Sequence, residues 1–166
     1  PSANNVVQGK QNHPDVELQQ TTFESFDGKN QKFDEIVAVM SFPHIADLSA
    51  AFSKIRSLLT ENGEAIIIVP DYDYFQTPRH GYSIEQQSID EESYAIAVTR
   101  PSGTLADIVR KTSVYQRAAE SAGLELVEDK EMKPTENQIA NAPKYATVKD
   151  KALTRLLVFK LKPEAS

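Results

Sequence analysis

The 166-residue chain has no cysteine, which removes disulfides, thiolate metal sites and cysteine nucleophiles and leaves no basis for inferring a redox compartment. It is also short of positive charge. Eighteen lysines and arginines stand against 24 aspartates and glutamates, for a net charge of −6 and a pI near 5.1. Such a balance gives no general attraction to phosphate backbones or anionic lipid, so nucleic acid and membrane are not expected partners. No apolar run approaches the roughly 18–20 residues that span a bilayer, and residues 1–10 carry no signal-peptide pattern. A cytoplasmic location is the default expectation. Only three histidines occur, His13, His44 and His80, without ligand spacing, so no metal site is expected. The six glycines form no dinucleotide fingerprint, which disfavours a nicotinamide or nucleotide-sugar enzyme. A chain beginning at Pro1 rather than methionine suggests a processed, excised or incomplete sequence.

What is present suits one globular domain over residues 1–166. Hydrophobic residues make up 40% and charged residues 25%, and this length can bury a real core. Two apolar runs of strand length, at residues 35–40 and 64–69, bracket an amphipathic stretch. This is the pattern of a parallel strand, a crossover helix and a second parallel strand. Leu48, Ala51, Phe52, Ile55, Leu58 and Leu59 form the helix stripe, starting after Asp47, and Asn62-Gly63 is expected to close it.

The flanking segments are read in the same way. Residues 1–12 read as the end of a helix stopped by His13-Pro14, residues 15–20 as an outer strand, and residues 23–32 as a loop with an Asp27-Gly28 turn. Residues 71–93 are polar and aromatic, interrupted by Pro78, His80 and Gly81, and read as a surface excursion. Residues 93–99 and 104–111 flank Pro101-Ser102-Gly103 as a hairpin. Thr112 or Ser113 should cap a helix through Ala122, closed by Gly123, with a strand from Leu124. Residues 134–151 read as a loop with a helical turn, and 153–161 as the last strand.

Several segments together resemble the C-terminal two-thirds of a class I S-adenosylmethionine-dependent methyltransferase of the small-molecule type. Phe33-Asp34-Glu35-Ile36-Val37 resembles the family's lead into its fourth strand, and Ser41-Phe42-Pro43-His44-Ile45-Ala46-Asp47-Leu48 the segment that follows. Leu58-Leu59-Thr60-Glu61-Asn62-Gly63-Glu64 is similar to the turn before the fifth strand. Arg110-Lys111-Thr112-Ser113-Val114-Tyr115 and Ala118-Ala119-Glu120-Ser121-Ala122-Gly123-Leu124 are similar to the family's later helix. The resemblance runs from about residue 12 to 161. It implies a Rossmann-like α/β sheet, truncated at its N-terminal half, with a lid and β-hairpin insertion over residues 71–112.

The family's glycine-rich cofactor loop and the ribose-binding acid after its second strand have no counterpart here. Thr22 aligns where the family often carries an acid near the adenine, and Phe23 aligns with the small residue beside it. The family's fourth strand pairs with its first, so the open edge at residues 36–40 would invite pairing. The third-strand segment, a second copy or a separate partner chain could cover it, and a homo-oligomer or partner complex is expected.

By the resemblance, S-adenosylmethionine is the cofactor, with Thr22, Phe23, Met40, Ser41 and Phe42 as this chain's share of its site and the missing N-terminal cofactor half to be supplied from outside it. His44 follows the C-terminal end of a parallel strand, where open α/β sheets bind ligands, and could serve as base or substrate contact. A neutral residue at the start of a helix is the alternative. Asp71, Tyr72, Asp73 and His80 are candidate contacts to a small-molecule substrate, against a solvated acidic loop. Two functions stay open: methyl transfer to a small molecule, or a methyltransferase-like module that acts as an interaction or structural subunit.

Overall fold

The computed structural model describes residues 2–76, 83–100 and 103–163. It divides into two compact units, residues 1–31 and 32–166.

In the first unit, helix α1 (Ala3–Asn12) starts where the Ser2 hydroxyl accepts the Asn5 N–H and ends with the His13 N–H donating to Gly9 O at 2.8 Å. The expected stop at His13-Pro14 is therefore present. Residues 15–20 form no strand. The chain turns there, with the Val16 N–H on His13 O, and runs on without a ladder; Val16 and Leu18 are too few apolar residues to hold a sheet edge on their own. The expected turn lies two residues further along. Lys29 and Asn30, at φ 48° and 65°, are its left-handed centre, closed by the Gln31 N–H on Gly28 O, while Asp27 Oδ1 accepts the Lys29 N–H. Two left-handed central residues are the signature of a type I′ turn.

The second unit is built on a four-stranded sheet. Strand β1 (Phe33–Val39) leads through a 3-10 turn (Phe42–His44) to helix α2 (Leu48–Leu58), capped by Asp47 Oδ1 on the Ala50 N–H. The chain returns as β2 (Leu59–Pro70), parallel to β1 with Ile36 opposite Ala65 and Val39 opposite Ile68. The two apolar runs are thus adjacent parallel strands joined by a crossover helix. Leu48, Ala51, Phe52, Ile55 and Leu58 are all buried, so the expected stripe faces the core. The Phe52 ring packs edge-on to Phe159 at 4.9 Å and lies 5.5 Å from Phe42.

Gly63 does not close this helix. The helix ends at Leu58, and residues 60–63 instead form an irregularity in the ladder between the Phe33–Leu59 and Glu35–Glu64 pairs. A Cβ on Gly63 would sit 2.8 Å from Phe33 O, so glycine is needed for the close approach of two backbones.

After β2 come a 3-10 turn (Tyr74–Gln76) and an antiparallel three-stranded sheet: β3 (Ser83–Ser88), β4 (Ser93–Arg100) and β5 (Gly103–Arg110). The β4–β5 hairpin is as expected; Pro101 and Ser102 of its turn lie outside the described residues, as do Pro78, His80 and Gly81. Strand β3 falls in the segment read as an irregular excursion. Its only sizeable apolar residue is Ile84, so edge pairing with β4 holds it rather than a hydrophobic pattern. Tyr94, Ile96, Val98 and Val109 form this sheet's own small core, with Tyr72, Phe75 and Ile84 against it.

Helix α3 (Thr112–Ser121) takes Lys111 as its N-cap, because the Ser113 hydroxyl donates to Glu92 instead of capping. Gly123, at φ 80°, ends it as expected. Strand β6 (Leu124–Met132), helix α4 (Glu136–Asn141), a 3-10 stretch (Pro143–Val148) and strand β7 (Thr154–Leu161) complete the chain. Strand β7 runs antiparallel between β2 and β6, giving the order β1-β2-β7-β6. Among the described residues β1 pairs with β2 alone, and its Val37 and Val39 are 54% and 59% exposed.

Candidate functional site

The carboxyl ends of β1 and β2 point the same way, so the loops that follow them leave one edge of the sheet. Strand β1 ends abruptly. Met40 keeps the ladder bond, its N–H on Ile68 O at 2.8 Å, yet adopts φ 54°. A left-handed non-glycine residue stores backbone strain, and such strain concentrates at functional turns. The turn leaves Met40 and Ser41 exposed and sends Phe42 and Pro43 inward. Phe42 is a core residue, with its ring 6.4 Å from that of Tyr115.

His44 closes the 3-10 turn. Its Nδ1 lies 3.1 Å from Asp107 Oδ1, with the imidazole 51% and the carboxylate 4% exposed. Arg110, three residues along β5 from Asp107, is buried and donates to two carbonyls of the same segment, Ile45 O at 2.7 Å and Phe42 O at 3.4 Å. The hairpin thus grips the backbone around His44 and sets a carboxylate near its ring. Behind this clamp, burial pushes the Tyr115 hydroxyl's pKa up, with the Arg110 cation opposing that shift.

After β2, Asp71 is buried and its oxygens are occupied. Oδ1 accepts the N–H groups of Asp73 and Tyr74 at 3.0 and 3.2 Å, and Oδ2 faces Arg155 at 3.4 Å. It fixes the start of the loop. The Tyr72 ring packs edge-on to Tyr94 at 5.1 Å with the Lys111 ammonium over it at 5.2 Å, and Asp73 is exposed on the loop. His80 lies outside the described residues. Thr22 and Phe23 belong to the first unit, where Thr22 Oγ1 accepts the Ser25 N–H at 3.2 Å and Phe23 is half-buried. Among the described residues no group of three or more His, Cys, Asp or Glu could hold a metal, and no helix is long and apolar enough to cross a membrane.

Sequence reasoning picked out His44 but missed Asp107 and Arg110. Their signal was two charged residues three apart, on opposite faces, in the otherwise apolar end of a strand. Nothing local in the chain pairs them with a turn more than sixty residues earlier.

A family profile described as a methyltransferase domain matches residues 1–129. No curated protein matches the chain in sequence. Among solved structures the fold is similar to an S-adenosylmethionine-dependent methyltransferase from Clostridium acetobutylicum, at 15% identity and TM-score 0.65, covering 98% of this chain and 73% of that one. It is similar also to an S-adenosylmethionine-dependent methyltransferase from Mesorhizobium loti, at 14% identity and TM-score 0.69, covering 95% and 76%. A third is the glycopeptide N-methyltransferase MtfA in complex with sinefungin, at 11% identity and TM-score 0.65, covering 96% and 74%.

Proposed function

The chain belongs to the class I S-adenosylmethionine-dependent methyltransferase family, and on that premise we propose that its β1–β2 rim serves methyl transfer to a small-molecule oxygen or nitrogen. The observation that carries this reading is the left-handed turn at Met40, which exposes Met40 and Ser41 at the sheet edge where open α/β folds bind ligands.

When bound, S-adenosylmethionine supplies a methyl carbon on a sulfonium sulfur. The residues at this turn fit it: the Met40 thioether is a soft, polarisable neighbour for such a centre, and the Ser41 hydroxyl can accept or donate beside it. Phe42 would act from below, as the buried support of the turn. On the acceptor side, His44 and the exposed Asp73 are the groups able to take a proton or orient an O–H or N–H. Asp71 would hold the loop rather than touch the substrate. An acceptor of nucleic-acid type is disfavoured by the net charge of −6.

Incubation with methyl-labelled S-adenosylmethionine and a panel of small amines, phenols and carboxylates should move label to an organic acceptor, with His44→Gln slowing transfer. No transfer to any member, with the protein folded, would count against the reading.

A second reading, a non-catalytic interaction subunit, is favoured by one observation: the edge of β1 that is unpaired among the described residues, with Val37 and Val39 exposed. A second copy of this chain pairing along that edge is its simplest form. Light scattering would then report a dimer that Val37→Lys converts to monomer.

A further inference from the structure

A non-glycine residue in the left-handed region persists only where its surroundings over-determine it, and Met40, at φ 54°, is such a residue at the rim. On one side the ladder bond of its N–H to Ile68 O fixes it. On the other side, Ser41 and Phe42 close the 3-10 turn by accepting the N–H groups of His44 and Ile45, both at 3.1 Å, but one short turn of this kind holds its shape weakly by itself. The further hold comes from Arg110. Its guanidinium reaches over from the end of β5, 65 residues from Ile45 in the chain, and donates to Ile45 O at 2.7 Å and to Phe42 O at 3.4 Å. Arg110 is only 7% exposed, so its charge is directed at these carbonyls rather than at water. Bonds from an ionised donor are stronger than neutral ones, and a planar fork also sets the spacing of the two groups it meets.

We infer that Arg110 is a positioning residue for the ligand rim: its fork pins the carbonyls of Phe42 and Ile45 and so keeps the strained turn at Met40 and Ser41 in the shape that receives S-adenosylmethionine. This rests on the methyl-transfer reading above. Arg110 acts through the backbone of the turn, which makes the β4–β5 hairpin a part of the rim although the two are far apart in sequence. A lysine would keep the charge without the fork, and an apolar residue would keep neither.

The test combines nuclear magnetic resonance of the full chain with calorimetric titration by S-adenosylhomocysteine. In the wild type the Arg110 Nη protons, assigned by their loss in Arg110→Lys, should be resolved and slow to exchange with solvent. Arg110→Met should speed amide exchange at His44 and Ile45, leave that at Ile67 and Leu157 unchanged, and raise Kd by about tenfold or more. Arg110→Lys should restore part of the affinity. The cause is tested by Met40→Asn, since asparagine enters the left-handed region more readily: in that background Arg110→Met should raise Kd by less than about threefold. A merely structural role would lower Tm but leave the Kd of the folded protein, and its dependence on residue 40, unmoved. Wild-type Nη protons that exchange as in free arginine, a folded Arg110→Met with the wild-type Kd, or an equal loss in the Met40→Asn background would overturn the inference. If the variants do not fold, the wild-type spectrum alone decides. A wild type that binds no S-adenosylhomocysteine sinks the reading of the rim as a cofactor site, whereas amide exchange at His44 and Ile45 still decides whether Arg110 holds the turn.

Discussion

Replacing Gly63 with alanine should destabilise the protein, because the new methyl would meet backbone and not a movable side chain. Its Cβ would lie 2.8 Å from Phe33 O, 3.1 Å from Asp34 O and 3.0 Å from Thr60 Oγ1. Thr60 is itself held by its hydroxyl on Asp34 Oδ1 at 2.8 Å. Relief requires β1 to shift or the irregularity at residues 60–63 to open, and overpacking of this sort costs about 1–3 kcal/mol. Against it stands about 0.4–1 kcal/mol gained by restricting the unfolded chain. A net loss of about 1–2 kcal/mol lowers Tm by roughly 2–8 °C in a protein of this size. Thermal unfolding of the alanine and asparagine variants would measure it. Asparagine tolerates a left-handed helix end better than alanine does, so a capping glycine would make asparagine the milder change. The close approach predicts asparagine to be at least as harmful. An unchanged Tm for alanine, or a milder asparagine, would refute the reasoning.

Phe52→Ala removes a fully buried ring that touches Phe42 and Phe159 and should cost about 3–5 kcal/mol in urea unfolding; a loss under about 1 kcal/mol would contradict the packing. Met40→Gly should stay within about 1 kcal/mol of wild type, since relief of a left-handed penalty of about 1–2 kcal/mol offsets glycine's entropic cost of about 0.5–1 kcal/mol; a loss above about 2 kcal/mol would show that the turn is unstrained. Hydrogen bonds from Arg117 and Ser113 lower the Glu92 carboxyl to about 2. A depressed carboxylate stabilises the fold above its unfolded pKa and loses that contribution as pH falls through the folded one. The Tm of Glu92→Gln should therefore converge on that of wild type as pH falls toward 2, and a gap that widens with acid would contradict the assignment.

The strands and helices that carry side chains into the main core were legible, because burial imposes a period on the sequence. The stripe from Leu48 to Leu58 and the run at residues 64–69 are examples. Elements held chiefly by backbone pairing left no such mark: β3 has Ile84 and otherwise polar residues, and residues 15–20 alternate without having a ladder. Gly63 carried the right residue for a different reason, since glycine serves a left-handed end and a backbone contact equally well. At the site, His44 stood out by its place after a strand, but its partner Asp107 is set by tertiary packing of the hairpin on the turn. Ser113 could cap a helix or bond Glu92, and local sequence does not rank the two.

The most direct test of the account is calorimetric titration of the purified chain with S-adenosylhomocysteine. The rim at Met40 and Ser41 predicts saturable heat over the ligand's soluble concentration range, weakened when Ser41 is replaced by tryptophan. A folded chain that gives no heat over that range would contradict it.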